Sequence, residues 1–352
     1  MCKVTIAIPI YNVEKYVEKS LLSALNQSFD DYEILIVDDK GTDSSMDVVR
    51  KIKETHPRGY IIRVIDHVVN RGTGAARNTA IDNAKGAFLY FMDSDDILEL
   101  DTIKLLYDVI VNEKVDLVEG SYQRVSMEGV VLEKKIFPEM KVSGDFAICK
   151  WMQRNRIYYD GFACIKMYNL DFLKSNRIRC NDHHKIEDPF FSFQVVLYAK
   201  SIITISKITY NYVMRPDSSV NQDVDDSCYN QYLEIFRART QLMRGLCSKS
   251  IPETLFNYYL QHFFEWWLRF VLLGRFSKQK KQYFYNTIQE MLTLNYSVKD
   301  LIGLRYKAMY LFMHLSDYRY IKTFYYIDVF AAKCYNRMNK YFHITKLPYS
   351  HL

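Results

Sequence analysis

A run of apolar residues that ends abruptly in acids is the feature that most limits how this chain can fold. Residues 88–92 are all aromatic or aliphatic, and Asp93, Ser94, Asp95 and Asp96 follow at once. The run predicts a buried strand that delivers carboxylates to the edge of a sheet. Because three neighbouring acids repel each other, we expect a divalent cation holding a diphosphate, or a set of directed donors, opposite them. An acidic helix cap after the strand is the alternative interpretation.

The first hundred residues alternate between strand and helix patterns. Helical spacing of apolar residues separates successive apolar runs. Asn12 is placed to cap the first helix, and Gly86 is placed to end the third. Repeated units of this length predict an α/β fold with a mostly parallel sheet, flanking helices and right-handed crossovers. The strand-like runs are residues 4–10, 34–37, 60–65 and 88–92.

Three of these predicted strands end in polar residues, which suggests one shared site. Tyr11 and Asn12 follow the first strand, Asp38 and Asp39 the second, and Asp93 to Asp96 the fourth. Three such ends in series indicate a nucleotide site along one sheet edge. No Gly-x-Gly-x-x-Gly follows the first strand and no Gly-Lys-Ser/Thr loop is present, which argues against a dinucleotide dehydrogenase and a P-loop enzyme.

Several segments, in this order, resemble family 2 glycosyltransferases of the GT-A fold. They are VTIAIPIYNVEKYVEKSLLSALNQSF, EILIVDDKGTD, NRGTGAARN and YFMDSDD, followed by GFACIKMYNLDFLKSNRIRC, IEDPFF and ITYNYVMRPDSSV. The later segments are similar to the acceptor half of the bacterial, non-processive members. The resemblance covers about residues 1–220, and Lys40-Gly41-Thr42 departs from the Gly-Ser-Thr that is common in the family.

On the donor side, the resemblance implies roles for five residues. Pro9 and Tyr11 would line the base pocket of a UDP-sugar, and Asp39 would accept the N3 proton of uracil. Arg71 would reach the nucleotide, and Arg215 would close over the diphosphate. The alternative for Asp38 and Asp39 is that one of them, Asp38 above all, only caps the next helix, and the alternative for Arg215 is a solvated turn residue.

At the reaction centre, the resemblance implies a cation and a general base. Asp93 would contact ribose and metal-bound water, and Asp95 would bind Mn²⁺ or Mg²⁺ directly. Asp188, with Glu187 beside it, would take the proton of the acceptor hydroxyl, although two acids at a helix start are also an ordinary capping arrangement. His184 is a weaker candidate ligand. For Arg77 we expect an acid partner, and a structural salt bridge is the alternative.

Charge and aromatic content divide the chain into two regions. Residues 1–227 contain 29 Lys and Arg against 34 Asp and Glu, whereas residues 228–352 contain 18 against 7 and hold 29 of the 53 aromatic residues. We therefore expect a glycosyltransferase domain at 1–220, with a nucleotide half (1–100) and an acceptor half (101–220), and a helical region at 221–352. The helices would lie on an anionic membrane, pack as a core or mediate assembly of identical copies.

The sequence has seven cysteines without a Cys-x-x-Cys pair, and it shows no secretory signal or long apolar run. These features favour a cytoplasmic protein, which would be peripheral at the inner face of the plasma membrane if the C-terminal helices bind lipid. The expected activity is metal-dependent, inverting transfer from a nucleotide-sugar to a hydroxyl of a glycan or lipid-linked acceptor in surface polysaccharide biosynthesis. No motif supports nucleic acid binding. A nucleotidyltransferase and a non-catalytic scaffold that binds sugar nucleotides are the alternatives.

Overall fold

The computed structural model describes residues 2–155, 161–182, 187–215, 226–245 and 277–291. The chain divides into two compact units, of which the first comprises Met1–Ile148 and Gly161–Asn221. The second comprises Cys149–Asp160 and Gln222–Leu352. In the described part of the chain, no helix is both long enough and apolar enough to cross a membrane.

Strands and helices alternate through the first unit. The strands are β1 (Val4–Ile10), β2 (Tyr32–Asp38), β3 (Ile62–Asp66), β4 (Phe88–Phe91), β5 (Ile97–Leu98), β6 (Leu117–Val125), β7 (Val131–Lys135), β8 (Met140–Ser143), β9 (Lys166–Asn169) and β10 (Ser201–Val213). The helices of this unit are α1 (Val17–Leu25), α2 (Ser45–Thr55), α3 (Thr73–Asn83), α4 (Thr102–Glu113), α6 (Leu170–Ser175) and α7 (Asp188–Tyr198), whereas α5 (Ala147–Asn155) belongs mostly to the second unit. The second unit contributes α8 (Asp226–Gly245) and α9 (Lys278–Met291).

The strands form one sheet in the order β3-β2-β1-β4-β9-β6-β10-β5, with β7 on β6 and β8 on β10. The first four strands are parallel, as predicted from the repeated strand and helix units. The second half is mixed, because β9 runs antiparallel between β4 and β6 while β10 runs parallel to β6. Consequently the mostly parallel arrangement describes the nucleotide half better than the acceptor half.

Burial on both faces explains the continuous apolar runs of the first strands. All seven residues of β1 and all seven of β2 are buried. One face packs against Val17, Leu21 and Leu25 of α1. Helix α3 packs on the sheet at β1 and β2, and its small residues Ala75 and Ala76 are buried. Strands covered by helices on two faces do not need the alternating pattern of half-exposed strands.

Two predicted helix boundaries were wrong. Asn12 does not cap α1, which begins at Val17; its φ is 51° and its Oδ1 accepts a hydrogen bond from the backbone N of Thr42 at 2.7 Å. Gly86 does not end α3, which ends at Asn83. A Cβ at Gly86 would lie 2.6 Å from the backbone N of Thr5, so the glycine permits the chain to pass close to β1.

Of the helical region expected at 221–352, the structure describes residues 226–245 and 277–291, which contain α8 and α9, and the rest of that region lies outside the described residues. His184 also lies outside them.

Candidate active site

The carboxyl ends of the first four strands lie along one edge of the sheet, because these strands are neighbours. Pro9 is buried near the end of β1, and Tyr11, just beyond that strand, is 47% exposed. The pairing of β1 with β4 stops at Ala7. The N–H group that Pro9 lacks is therefore not needed for pairing with β4. Asp39 directly follows β2, and Asp93 follows β4. The structure therefore brings these predicted nucleotide-binding residues to one edge.

Asp39 is buried and accepts four hydrogen bonds from the chain itself. Its Oδ1 lies 2.7 Å from Nδ1 of His67 and accepts from the backbone N of Arg71 at 2.8 Å. Its Oδ2 accepts from Nδ2 of Asn70 at 2.9 Å and from the backbone N of Gly72 at 2.8 Å. A carboxylate has about four lone-pair sites, and these donors match them. Asp39 thus holds the loop after β3, and its contact with uracil stays a prediction.

The side chain of Arg71 points toward the segment before α7. Its guanidinium contacts Oδ2 of Asp182 at 3.1 Å, and both side chains are 40% exposed. Asn78, on α3, donates to Oδ1 of Asp182 at 2.6 Å and to the backbone O of Cys180 at 2.9 Å. The backbone N of Cys180 donates back to Asn78 at 2.9 Å. These contacts join the nucleotide half to the segment that leads to the predicted base.

Asp96 fixes the turn that carries the two preceding acids. Its carboxylate accepts from the hydroxyl of Tyr210 at 2.7 Å and from the backbone N of Val213 at 2.8 Å. The backbone N of Asp93 donates to the same tyrosine hydroxyl at 3.2 Å. Burial, followed by repulsion from Asp95 and Asp93, raises the pKa of Asp96 well above its usual value. The end of β10 is thereby attached to the acidic turn.

Asp93 and Asp95 each have one carboxylate oxygen paired with an arginine. Oδ1 of Asp93 accepts from Arg77 at 2.7 Å, and Oδ2 of Asp95 lies 2.6 Å from Nε of Arg215. The Arg215 guanidinium also lies over the ring of Tyr16, 5.1 Å from its centroid. Burial, and then the charge of Asp93, raises the pKa of Asp95, while Arg215 opposes this shift. The two acids therefore form a site that favours additional positive charge.

The chemistry of this pair of carboxylates fits a divalent cation that a ligand would also bind. Within the described residues, no cluster of three or more His, Cys, Asp or Glu side chains could hold a metal ion alone. Mg²⁺ sites commonly use only one or two carboxylates, with waters and substrate phosphates completing the coordination. Asp93 and Asp95 can supply that number of oxygen ligands.

The two acids at the start of α7 meet a single buried guanidinium. Arg77 of α3 donates from Nη1 to Oε1 of Glu187 at 2.6 Å and to Oδ1 of Asp188 at 2.5 Å. The same guanidinium donates from Nη2 to Asp93. The Arg77 side chain is only 2% exposed, whereas that of Asp188 is 27% exposed. The structure thus brings the predicted base and Asp93, the first acid after β4, to the guanidinium of Arg77.

The environment gives the two adjacent acids different properties. Burial raises the pKa of Glu187 to about 8; Arg77 opposes the shift and Asp188 adds to it. Burial also raises the pKa of Asp188, while Arg77 and then Lys166 lower it against the repulsion of Asp93. If Glu187 holds a proton at neutral pH, Asp188, the more exposed acid, is the candidate proton acceptor of the pair.

A second buried ion pair, which sequence reasoning missed, lies in the sheet behind Asp188. Lys166 of β9 and Glu119 of β6 are 2.9 Å apart, and their side chains are 1% and 0% exposed. Lys166 also donates to the backbone O of Phe162 at 2.8 Å. Both charges occur inside apolar strand runs, and that pattern is a usable signal for a buried pair of opposite charges. His67, Asp182 and Tyr210 were also missed, and they carry no local signal of this kind.

Comparison with known proteins identifies the domain. Residues 5–175 match the family model described as "Glycosyl transferase family 2". A poly(ribitol-phosphate) beta-glucosyltransferase from Bacillus spizizenii is 33% identical over 219 residues, which are 61% of this chain and 33% of that protein. Glycosyltransferase GlyA from Streptococcus pneumoniae is 30% identical and also covers 61% of this chain. The chain spans about a third of the length of these two relatives.

A solved structure shows the same fold. The crystal structure of Staphylococcus aureus TarS residues 1–349 in complex with UDP-GlcNAc superposes with a TM-score of 0.74, covering 91% of this chain and 90% of that one at 21% identity. The superposition shows that the chain has the GT-A fold, and the family match identifies residues 5–175 as a glycosyltransferase family 2 domain.

Proposed function

We propose that this protein is an inverting, metal-dependent glycosyltransferase that transfers a sugar from a UDP-sugar to a hydroxyl of a glycan or lipid-linked acceptor in surface polysaccharide biosynthesis. The observation that carries the proposal is the contact of Arg77 with both Asp93 and Asp188. This contact places a candidate base beside the acids at the nucleotide edge. A transferase needs this juxtaposition, because its two substrates react where their sites meet.

In the proposed reaction, Asp188 is the general base. It takes the proton of the acceptor hydroxyl while that oxygen bonds to the anomeric carbon of the donor sugar, and the nucleoside diphosphate leaves from the opposite face. A single displacement inverts the anomeric centre without a covalent enzyme intermediate. Glu187 is a poor base at neutral pH, because burial favours its protonated form.

The donor diphosphate would be held at the acidic turn. Asp95 and Asp93 would bind Mn²⁺ or Mg²⁺, and the cation when bound would neutralise charge on the leaving diphosphate. Arg215 lies against Asp95 and Tyr16, close enough to this turn to contact a phosphate after exchanging its carboxylate partner. Pro9, Tyr11 and the loop held by Asp39 would surround the base.

Relatives support the donor and acceptor classes in the proposal. Two of them are named as a glucosyltransferase and an N-acetylglucosaminyltransferase of poly(ribitol-phosphate), and TarS has been crystallised with UDP-GlcNAc and with UDP. A UDP-sugar donor and a polyol or sugar hydroxyl acceptor follow by analogy. Contact of residues 228–352 with anionic lipid stays a prediction from the sequence.

The test is Asp188→Asn, assayed with a panel of UDP-sugars and hydroxyl acceptors. The amide preserves the shape of the side chain but cannot take a proton, so we expect kcat to fall by about 10²- to 10⁴-fold with little change in UDP affinity. Glu187→Gln is the matched control and should retain much more activity. If Glu187→Gln is inactive and Asp188→Asn is normal, the roles of the two acids are exchanged.

Product identity tests the reaction class independently. Transfer releases UDP, whereas a nucleotidyltransferase would release pyrophosphate from a nucleoside triphosphate. Pyrophosphate release by the wild-type chain, without UDP release from any UDP-sugar, would overturn the proposal.

A further inference from the structure

One buried guanidinium links the two motifs on which the proposed chemistry depends. Arg77 donates through Nη1 to both Glu187 and Asp188 and through Nη2 to Asp93. Three acidic side chains around one guanidinium are more than a single buried ion pair requires. Burial disfavours the charge of Arg77, but Asp188, Asp93 and Glu187 together raise its pKa well above the usual value.

The guanidinium of Arg77 contacts these three acids but does not use all of its hydrogen-bond donors. Within the described residues, Nε of Arg77 is buried without a hydrogen-bond partner. The ring of Phe91 lies beside the guanidinium, with its centroid 5.8 Å from Cζ. An unmade bond of this kind costs roughly 1–3 kcal/mol. A side chain that tolerates this cost while bridging two chemical motifs is a candidate for a functional role.

The segment that precedes the base is fixed to the same helix, α3. A Cβ on Gly74 would lie 2.1 Å from the backbone O of Asn181 and 3.0 Å from Cβ of Glu187, so the absence of a side chain allows this close approach. Asn78 exchanges hydrogen bonds with the backbone of Cys180. The backbone is therefore anchored by Gly74 and Asn78, and the contact with Arg77 orients the carboxylates.

We propose that Arg77 is a positioning residue that orients Asp188 for proton transfer and links it to the donor-side acid Asp93. The inference rests on the proposed function, because it assumes that Asp188 is the base. A bidentate guanidinium can hold carboxylates on two sides, whereas a lysine ammonium is a compact charge without the planar fork. Replacement by lysine should thus preserve the charge and lose the geometry.

The experiment is a double-mutant cycle with Arg77→Lys and Asp188→Asn. We expect Arg77→Lys to lower kcat by about 10²-fold while UDP affinity, measured by calorimetry, changes by less than about 5-fold. In the Asp188→Asn background, Arg77→Lys should lower kcat by less than about 3-fold more, because the side chain acts through Asp188. Losses that multiply in the double variant would overturn the proposal.

Arg63→Lys is the matched control. Arg63 of β3 pairs with Glu33 of β2 at 3.0 Å, in an ion pair that is partly buried and outside the acid cluster, and should keep wild-type kcat after the same substitution. If Arg77→Lys melts far below the wild type, the cycle is repeated with Glu187→Gln added, which removes one carboxyl from the cluster. If that variant also fails to fold, Arg77 is a structural residue and the proposal is overturned.

The outcomes separate this inference from the proposed function. A wild-type chain that transfers no sugar, or an Asp188→Asn variant that turns over normally, contradicts the proposed function. The role of Arg77 alone is contradicted by a different set of results. In that set the wild-type chain transfers sugar, Asp188→Asn is inactive, and the losses in the cycle multiply.

Discussion

Replacing Glu187 by Gln should change how the stability of this protein depends on pH. Glu187 is buried beside Arg77 and Asp188, and its pKa is raised to about 8 in the folded chain. The unfolded chain releases the same proton near the ordinary value of 4.5. Between these two values the folded state binds more protons, so the free energy of unfolding falls as the pH rises toward 8. Glutamine keeps the volume but has no proton to lose.

The structure also sets the size of the effect. A raised pKa corresponds to about 1.36 kcal/mol per unit, so the interval from 4.5 to about 8 sets a ceiling of ~4 to 5 kcal/mol. Titration of Glu187 is shared with Asp188, and Cys180 and Asp93 also face the cluster. We therefore expect the wild type to lose on the order of 2–3 kcal/mol relative to Glu187→Gln between pH 5 and pH 8.

The assay is urea unfolding of the full chain in the presence of chelator, at pH values from 5 to 9. Asp188 is present in both proteins, so the difference between their midpoints at equal m reports the titration of Glu187 together with its coupling to Asp188. Glu54→Gln, the same change on an exposed position of α2, should give a curve parallel to the wild type. Parallel curves for the wild type and Glu187→Gln would show that Glu187 is ionised in the folded state and would remove the argument against it as the base.

Two further perturbations address the cation site and the packing of the base segment. Chelation should abolish transfer, and Mn²⁺ or Mg²⁺ should restore it. Asp95→Ala should remain folded by circular dichroism but should be inactive. Full activity in chelator would contradict the metal assignment. Gly74→Ala should lower the free energy of unfolding by about 1–3 kcal/mol, because its Cβ would overlap the backbone O of Asn181. It should also reduce kcat more than UDP affinity. An unchanged melting temperature and kcat would show that the close approach is not required.

The strongest sequence predictions concern elements with a clear apolar period. The parallel strands of the nucleotide half were predicted within a few residues, because burial on both faces produces continuous apolar runs. The wrong boundaries, at Asn12 and Gly86, fall where a residue favoured by local capping is used for a tertiary contact. Local propensity cannot distinguish these two uses.

Sheet order in the acceptor half could not be predicted from periodicity. Strand β9 is inserted between β4 and β6, which places residues 88–90 beside residues 167–169. Pairing at such separation depends on the packing of the whole sheet rather than on the composition of either strand. The resemblance to a known fold supplied this half, and the TarS superposition supports it.

The candidate site residues could be selected from the sequence by type, but the contacts between them could not. Asp93 and Asp188 are marked by strand ends and helix starts, but Arg77 lies 111 residues from Asp188 in sequence. The sequence left Arg77 open between an acid partner and a structural salt bridge. Only the folded chain shows that three acids share it.

Asp39 shows why a binding defect alone does not identify a contact. Its carboxylate holds the backbone N–H groups of Arg71 and Gly72 together with the side chains of His67 and Asn70. The N3 proton of uracil would have to share an oxygen with one of these donors or displace the amide of Asn70. Removing the carboxylate would leave four donors without their acceptor, and the loop would move whether or not the carboxylate touches a base. A weaker affinity for UDP in Asp39→Ala is thus expected whether or not the carboxylate touches uracil. Asn70→Ala is the more informative variant, because it frees one lone pair of Asp39. It should spare the affinity for UDP only if uracil can occupy that lone pair.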